Sequence, residues 1–354
     1  MPHTQYRLWH LIPIVALTLA RPALANEKIQ LIAGSKAGDL NLPFAAVPAP
    51  DGNLYIAEYG GHRVLKLDAK GVLTTVAGTG KKGSGGDGGP ALKAEFNDMH
   101  SLAVAPNGDL YIADTLNHKI RKIDMKSSEI ATFAGTGDKG FAGDGGPAAK
   151  ARFDGVYCIA FGPKAERLYV ADLENRRICM IDMKSGEIST VAGNGKKGVP
   201  EDGALAKDAP LVDPRAVAAD GKGNVYILER SGNALRVVDS DGKIRTVAGT
   251  GKAGHSGDDG DALKAQLNGP KHLCVDPDDN VLIADTENHV IRKYLPKTGK
   301  IVHVAGTEKL GSAGLDGPPE KCELARPHGV WSSKRGEIYI ADSENNRVLR
   351  IRGE

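Results

Sequence analysis

One short segment recurs six times along the 354-residue chain, and this repetition restricts the accessible folds more than any other feature. The clearest copy covers 110–120, Leu-Tyr-Ile-Ala-Asp-Thr-Leu-Asn-His-Lys-Ile. Each copy carries one acid at its fifth position, and these anchoring acids are Glu58, Asp114, Asp172, Glu229, Asp285 and Asp342. Successive anchoring acids are separated by 56, 58, 57, 56 and 57 residues. Six units of nearly constant length predict a repeat architecture whose units pack side by side.

Each unit is predicted to contain four short strands, labelled a to d. In the second unit they cover 101–105, 110–113, 119–123 and 130–134. These runs are rich in Val, Ile and Tyr and are bounded by Gly, Asn, Asp or Pro, which favours strands over helices. A single sheet of this kind cannot bury both of its faces, so the copies must stack. Radial stacking predicts an all-β, six-bladed β-propeller of four-stranded antiparallel blades.

The two ends of the repeat array complement each other. The segment 29–34, Ile-Gln-Leu-Ile-Ala-Gly, resembles a strand d that has no blade before it. The segment 348–352 resembles a strand c that has no strand d after it. Pairing them removes two exposed strand edges, so we expect the N-terminal strand to close the last blade.

The first 25 residues do not belong to the repeat. Arg7 and His10 precede an apolar run over 11–20, and an Ala-Leu-Ala sequence ends at Ala25. This order is typical of a secretory signal peptide, here 1–25, and predicts a secreted or periplasmic propeller over 26–354. The alternative is a membrane anchor, which needs about 18 or more apolar residues, and this run is shorter.

Composition narrows the choice of partner. The formal net charge is +2 and 25% of residues are charged, which gives no basic surface of the kind that binds nucleic acid. After residue 25 no segment is apolar enough to span a bilayer, so the mature chain is predicted to have no membrane span. We also expect it to be a monomer.

The four cysteines are Cys158, Cys179, Cys274 and Cys322. Export would permit disulfides, and their spacing matches no zinc or thioredoxin motif. Buried structural thiols are the favoured interpretation for Cys158 and Cys274, while the disulfide state stays open.

The repeat itself resembles a known family. A strand a, an Asp-Gly or Asn-Gly turn, a Tyr-Ile-Ala-Asp strand b and an Asn-His-Arg turn are similar to the NHL repeat. The glycine-rich linkers at 83–91 and 140–148 resemble those of bacterial extracytoplasmic NHL arrays. This resemblance covers nearly all of the mature chain and implies a propeller, but it does not imply one activity.

Residues that every blade shares are interpreted as architectural. The anchoring acids are followed by asparagine in most units, and short polar side chains of this kind hydrogen-bond nearby backbone. The turn histidines share this interpretation, and they are His62, His118 and His289. Linker acids at Asp87, Asp144, Asp202 and Asp258 raise a calcium alternative, but no linker has the acid-rich spacing of a calcium loop, so glycine-rich turns are favoured.

Function is expected where equivalent positions differ between blades. The first residue of strand a is Phe44, His100, Tyr157, Arg215, Lys271 and His328 in blades one to six. Because strand a lies nearest the propeller axis, these six residues are predicted to surround one mouth of the central channel and to bind a ligand there. The alternative is that they are ordinary solvated strand ends. Arg215 and Lys271 favour an anionic ligand.

A second resemblance covers only short motifs. Met-His-Ser-Leu at 99–102 and Pro-His-Gly-Val at 327–330 resemble strand-a motifs of peptidyl-hydroxyglycine α-amidating lyases. That resemblance implies zinc ligands at His100 and His328 and a substrate-side tyrosine at Tyr157, which makes these three the catalytic candidates. The third zinc position is occupied by Arg215, which cannot ligate a metal. No cofactor is therefore predicted, with zinc or calcium as the alternatives.

Two functions follow from these observations. The favoured one is an extracytoplasmic NHL propeller that binds a small anionic or sugar-acid ligand, or a protein partner, at this mouth. The alternative is a metal-dependent lyase or hydrolase of the amidating-lyase or gluconolactonase type that uses the same mouth.

Overall fold

The computed structural model describes residues 27–34, 36 and 38–352. The predicted signal peptide, 1–25, lies outside the described residues, so it stays a prediction. Within the described part of the chain, no helix is both long enough and apolar enough to cross a membrane.

The described strands are short, and most have four to six residues. The first thirteen are β1 (Lys28–Ala33), β2 (Pro43–Pro48), β3 (Leu54–Glu58), β4 (Arg63–Leu67), β5 (Leu73–Ala77), β6 (Gly89–Pro90), β7 (Met99–Val104), β8 (Leu110–Asp114), β9 (Lys119–Asp124), β10 (Glu129–Ala134), β11 (Val156–Phe161), β12 (Arg167–Asp172) and β13 (Arg177–Asp182). The others are β14 (Ile188–Ala192), β15 (Pro214–Ala219), β16 (Val225–Glu229), β17 (Ala234–Val238), β18 (Ile244–Ala248), β19 (His272–Val275), β20 (Val281–Asp285), β21 (Val290–Leu295), β22 (Lys300–Ala305), β23 (Gly329–Ser332), β24 (Ile338–Asp342) and β25 (Arg347–Arg352).

The helices in the described residues are single 3₁₀ turns. Five lie in the linkers before strand a, at Ala91–Lys93, Ala148–Lys150, Ala206–Asp208, Ala262–Lys264 and Pro319–Lys321. Three follow strand b, at Thr115–Asn117, Thr286–Asn288 and Ser343–Asn345.

The strands form six antiparallel sheets, which confirms the six-bladed all-β prediction. Blade one is β2–β5, blade two is β7–β10, and blades three, four and five are β11–β14, β15–β18 and β19–β22. Blade two gains the two-residue strand β6 at its outer edge, a detail that the repeat does not predict. The innermost strands touch in sequence around the ring, and β23 of blade six contacts β2 of blade one.

The last blade is completed from the N-terminal side, as the two chain ends predict. Its strand order is β1–β25–β24–β23, and Ile29 lies opposite Ile351. Ile29 is fully buried with Leu349 and Leu282 of blade five. The N-terminal strand therefore contributes to the core between blades as well as pairing an edge.

The anchoring acids hold each blade to the linker that precedes its strand a. All six are fully buried. The carboxylate of Asp114 accepts the backbone N–H of Asn97 at 2.8 Å and the side-chain amide of Asn117 at 2.9 Å. Equivalent backbone hydrogen bonds reach Glu58, Asp172, Glu229, Asp285 and Asp342. This geometry agrees with the architectural interpretation of these acids.

Glycine is required where strand d leaves each blade. Gly249 has φ +92°, and a Cβ there would lie 2.3 Å from the carbonyl oxygen of Asn233. The repeated Val-Ala-Gly sequence is thus a consequence of close backbone packing.

The four cysteines are free thiols; Cys158, Cys179 and Cys322 are buried and Cys274 is partly buried.

Candidate functional site

The six residues predicted to begin strand a meet at one end of the propeller axis. The strand starts differ from the prediction by one residue: four of the six are the second residue of β2, β7, β11 and β15, and the other two directly precede β19 and β23. All of them line a single cavity of about 350 Å³, which we call the central mouth: Phe44, His100, Tyr157, Arg215, Lys271 and His328. Equivalent positions in six blades lie at the same height along the axis. Residues that are up to 284 positions apart in the sequence therefore form one surface.

One side of the central mouth is aromatic. Phe44 lies between two parallel rings, with centroid separations of 4.4 Å to Tyr59 and 3.8 Å to His328. The ring of His100 is 5.3 Å from Phe44 and 4.5 Å from Tyr157. Because Tyr59 and His328 cover both faces of Phe44, the three rings form a tightly packed apolar wall in which Phe44 can offer a ligand only its ring edge.

The opposite side is cationic, and most of its cations have carboxylate partners. Lys271 pairs with Glu287 at 3.0 Å, and Arg230 pairs with Asp213 at 2.9 Å. Arg326 pairs with Glu287 at 2.5 Å. These pairs position the cations, and their mutual neutralisation leaves little charge for a ligand.

Arg215 is the exception among these cations. Its residue is 4% exposed, and no ion pair joins it to a carboxylate among the described residues. Its Nη1 donates to the carbonyl oxygen of Tyr157 at 3.3 Å, while its Nε is buried without a hydrogen-bond partner in the described structure. Burial lowers the pKa of Arg215 to about 10, so the side chain stays protonated at neutral pH. A buried guanidinium without a counter-ion is unfavourable unless an anion reaches it.

The two mouth histidines are neutral at physiological pH. Burial, followed by the charge of Arg215, holds the pKa of His100 well below its usual value. Burial and then Lys271 do the same to the pKa of His328. His100 Nδ1 lies 2.9 Å from the carbonyl oxygen of Asp98, and His328 Nδ1 lies 3.1 Å from that of Arg326. Since a carbonyl only accepts, each Nδ1 carries the proton and each Nε2 is left as an acceptor.

The central mouth does not fit the zinc centre that the amidating-lyase resemblance implies. Arg215 occupies the third ligand position, and the Phe44 ring lies beside both His100 and His328. Zinc needs about three protein ligands within bonding distance. Among the described residues, the three metal-ligating side chains whose donor atoms lie close together are His255, Asp258 and His303, and none of them lines this mouth.

His272, next to Lys271, points away from the central mouth. It is buried, its Nδ1 lies 3.1 Å from the carbonyl oxygen of Val330, and its ring lies 4.2 Å from that of Trp331. It therefore ties two neighbouring strands a together, as its shift of one residue from the mouth position predicts.

Sequence reasoning missed Tyr59 and Arg230, which also line the central mouth. Both directly follow an anchoring acid. In blades two, five and six that position is Thr115, Thr286 or Ser343, whose hydroxyl donates to a carbonyl of the next blade at 2.6–2.8 Å. Tyr59 and Arg230 break this pattern, so the comparison that selected the strand-a residues would have selected them too. Asp98, Arg326 and Glu344 complete the polar rim.

Comparison with known sequences identifies the repeat. The model described as "Teneurin NHL domain" matches residues 155–353, and the NHL repeat model matches residues 96–123. The chain is 28% identical over 271 residues to Protein SUPPRESSOR OF QUENCHING 1, chloroplastic, of Arabidopsis thaliana, covering 73% of this chain and 25% of that protein. It is 26% identical to NHL repeat-containing protein 2 of Bos taurus, covering 83% of this chain and 44% of that protein. The chain thus spans less than half the length of either relative.

Solved structures agree on the fold. An auxiliary nutrient binding protein from Bacteroides ovatus superimposes with a TM-score of 0.65 at 15% identity, covering 93% of this chain and 77% of that one. A gluconolactonase from Xanthomonas campestris gives 0.60 at 10% identity, covering 93% and 90%. At these identities the likeness concerns the fold alone. Six NHL-type blades, and a family model that matches more than half of the chain, show that this protein belongs to the NHL-repeat propeller family represented by the teneurin NHL domain.

Proposed function

We propose that this chain is an extracytoplasmic NHL-repeat propeller that binds a small anionic ligand, of the sugar-acid class, at the central mouth. The observation that carries the proposal is the buried guanidinium of Arg215, which has no carboxylate partner among the described residues. A ligand carboxylate beside this guanidinium would supply the negative charge that Arg215 lacks.

The other wall of the central mouth selects for the rest of the ligand. The stack of Tyr59, Phe44 and His328 offers an apolar wall across the axis from Arg215. His100 and His328 present Nε2 acceptors, which suit hydroxyl donors. A ring that carries hydroxyls and one carboxylate satisfies both walls. A cavity of about 350 Å³ is of the size that holds such a molecule. The two structural neighbours described above, a nutrient binding protein and a gluconolactonase, are consistent with a small polar ligand.

A thermal-shift screen tests the proposal, because a ligand that binds only the folded state raises its apparent stability. The probes are gluconate, glucuronate and galacturonate, each paired with its uncharged parent sugar. We expect at least one acid to raise the melting temperature while its parent does not. Arg215→Met should remove that shift. Lys293→Met, a cation outside the central mouth that pairs with Asp276, should keep it. A shift that survives in Arg215→Met would refute the site.

A second candidate, a lyase or hydrolase that uses the same mouth, is favoured by the two neutral histidines. Each offers an Nε2 that can accept a proton, as a general base must. Burial and then the charge of Arg215 or Lys271 lower the pKa values of these histidines, and a bound anion would offset the charges and make the imidazoles stronger bases. Nuclear magnetic resonance spectra of a bound sugar acid or its lactone, recorded over time with catalytic amounts of protein, distinguish the two. Turnover that disappears in His100→Gln would establish the enzyme, and an unchanged ligand would establish binding alone.

A further inference from the structure

We propose that the linker before blade five and the outer strand of that blade form a zinc-class metal site from His255, Asp258 and His303. His255 and Asp258 lie in the linker, and His303 lies in β22. Their donor atoms are within 4.8 Å of one another. None of the three lines the central mouth. The proposal is therefore independent of the proposed function.

The separations suit a metal better than they suit direct hydrogen bonds. Asp258 Oδ2 lies 3.4 Å from His255 Nε2 and 3.8 Å from His303 Nδ1. Strong hydrogen bonds between such groups are about 2.7–3.2 Å long. In contrast, bonds of about 2.0–2.1 Å to a tetrahedral zinc place two ligand atoms about 3.3 Å apart. Small side-chain rotations bring the three donors into that geometry.

Each imidazole is held in the tautomer that a metal ligand requires. His303 Nε2 lies 2.8 Å from the carbonyl oxygen of Gly306, so Nε2 carries the proton and donates it. Its Nδ1, which is the nitrogen left for a metal, faces Asp258 Oδ2. His255 Nδ1 lies 3.0 Å from a carboxylate oxygen of Glu308 and donates to it. This leaves His255 Nε2, which is buried from solvent and makes no hydrogen bond within the described part of the chain. Outer contacts of this kind orient metal-binding histidines in general.

The two oxygens of the Asp258 carboxylate have different neighbours. Arg292, which is fully buried, donates to its Oδ1 from Nε at 2.8 Å and from Nη2 at 2.7 Å. Oδ2 stays directed at the two histidines. The guanidinium charge opposes a bound cation, and the carboxylates of Asp258 and Glu308 offset it. Two imidazole nitrogens and one carboxylate oxygen favour zinc over calcium, which prefers oxygen ligands.

Comparison between blades shows that architecture does not require the histidines. Blade two has the equivalent ion pair, the buried Arg121 with the exposed Asp87 at 2.7 Å, and there Thr132 donates to Asp87 at 2.6 Å. Thr132 occupies the position of His303, and Ser84 that of His255. In blade four, Thr246 contacts Asp202 in the same way. Blade five therefore departs from its siblings at two positions that converge on one carboxylate.

The experiment is a zinc titration, by isothermal titration calorimetry, of the full chain prepared without a polyhistidine tag and freed of metal by chelation. We expect one zinc per chain. His303→Thr and His255→Ser convert the site to residues that blade two already accommodates, so both variants should fold. Each should bind zinc at least tenfold more weakly. His328→Ala in the central mouth should still bind one equivalent at the same affinity.

A reciprocal variant adds an independent readout. Ser84→His combined with Thr132→His rebuilds the cluster in blade two and should raise the stoichiometry from one to two. Wild-type protein that binds no zinc, or stoichiometric zinc that is unaffected by His303→Thr and His255→Ser, would overturn the proposal.

Discussion

The guanidinium carbon of Arg215 lies 4.6 Å from the centre of the Tyr157 ring, and Nη1 of Arg215 donates to the backbone carbonyl of the same tyrosine at 3.3 Å. Blade three thus holds the arginine of blade four in place through a ring face and a carbonyl. Neither contact cancels the charge, because a ring face and a carbonyl carry only partial charges. The arginine is therefore held in place with its charge unpaired, at a cost to the stability of the fold.

Because of that cost, we expect the substitution of two buried arginines to change the free energy of unfolding by different amounts. Arg236 is also buried and pairs with Glu229 at 2.7 Å. We expect Arg236→Met to lower the free energy of unfolding by about 3–5 kcal/mol, because it leaves Glu229 buried and unpaired. Arg215→Met should leave it unchanged or raise it by about 1 kcal/mol, because the buried charge that it removes has no carboxylate partner to orphan. Urea denaturation of both variants checks this, and equal losses would contradict the account of Arg215.

Ligand binding is expected to be independent of pH between 6 and 8. The pKa values of His100 and His328 are lowered well below the usual value by burial, so both are neutral throughout this range. The pKa of Arg215, about 10, keeps that side chain charged. Isothermal titration calorimetry with a sugar acid at three pH values measures this. A tenfold loss of affinity between pH 6 and 8 would show that a protonated histidine supplies the charge instead.

The free energy of unfolding should depend on pH because of the buried His272. Burial lowers its pKa from 6.5 to about 3. As the pH falls below 6.5, the unfolded chain binds a proton that the folded chain refuses, so this contribution to stability is present above 6.5 and is lost on acidification. At pH 5 the loss is about 2 kcal/mol. His272→Gln removes the titration, so the stability difference between wild type and variant should shrink by that amount between pH 7.5 and pH 5. A difference that does not change with pH would contradict the buried neutral imidazole.

Closure of the ring by the N-terminal strand predicts a position-specific loss. Ile29 is fully buried at the junction of blades five and six, and the neighbouring Lys28 is exposed. Ile29→Ala should lower the free energy of unfolding by about 2–5 kcal/mol, whereas Lys28→Ala should change it by less than about 0.5 kcal/mol. Chemical denaturation measures both. Similar small effects would mean that β1 does not complete the core.

The anchoring acids predict a comparable contrast between buried and exposed aspartates. Asp342 accepts the N–H of Ala325 at 2.7 Å and pairs with Arg347 at 2.6 Å. Asp342→Ala should lower the free energy of unfolding by about 3–5 kcal/mol, since it leaves a buried arginine unpaired. Asp68 only accepts exposed turn amides, from Lys70 and Val72. Asp68→Ala should have a much smaller effect, because water can replace these exposed hydrogen bonds. Thermal and urea unfolding compare them, and a Asp342→Ala variant as stable as Asp68→Ala would contradict the anchoring role.

The architecture was predictable because the same strand pattern occurs in six units of nearly equal length. Strand order, blade number and the closure of the last blade all follow from the spacing of the anchoring acids and from the two incomplete ends. The ring of Phe44, His100, Tyr157, Arg215, Lys271 and His328 was predictable for the same reason, since equivalent positions must share a height around the axis.

Pairing between side chains could not be read in this way. Lys271 and Arg215 are both cations at equivalent positions, yet Glu287 pairs with the lysine, while no carboxylate pairs with the arginine among the described residues. That distinction depends on which rotamers the neighbouring blades allow. The cluster of His255, Asp258 and His303 joins a linker to a strand 45 residues later, so only the folded blade brings its members together.

The affinity of one sugar acid and of its uncharged parent sugar for wild type and for Arg215→Met tests the central claim most directly. Calorimetric titration should give binding of the acid to wild type, at least tenfold weaker binding to the variant, and no measurable binding of the parent sugar to either. Equal affinity of the acid for wild type and variant would contradict the claim that an unpaired arginine at the propeller axis defines the ligand.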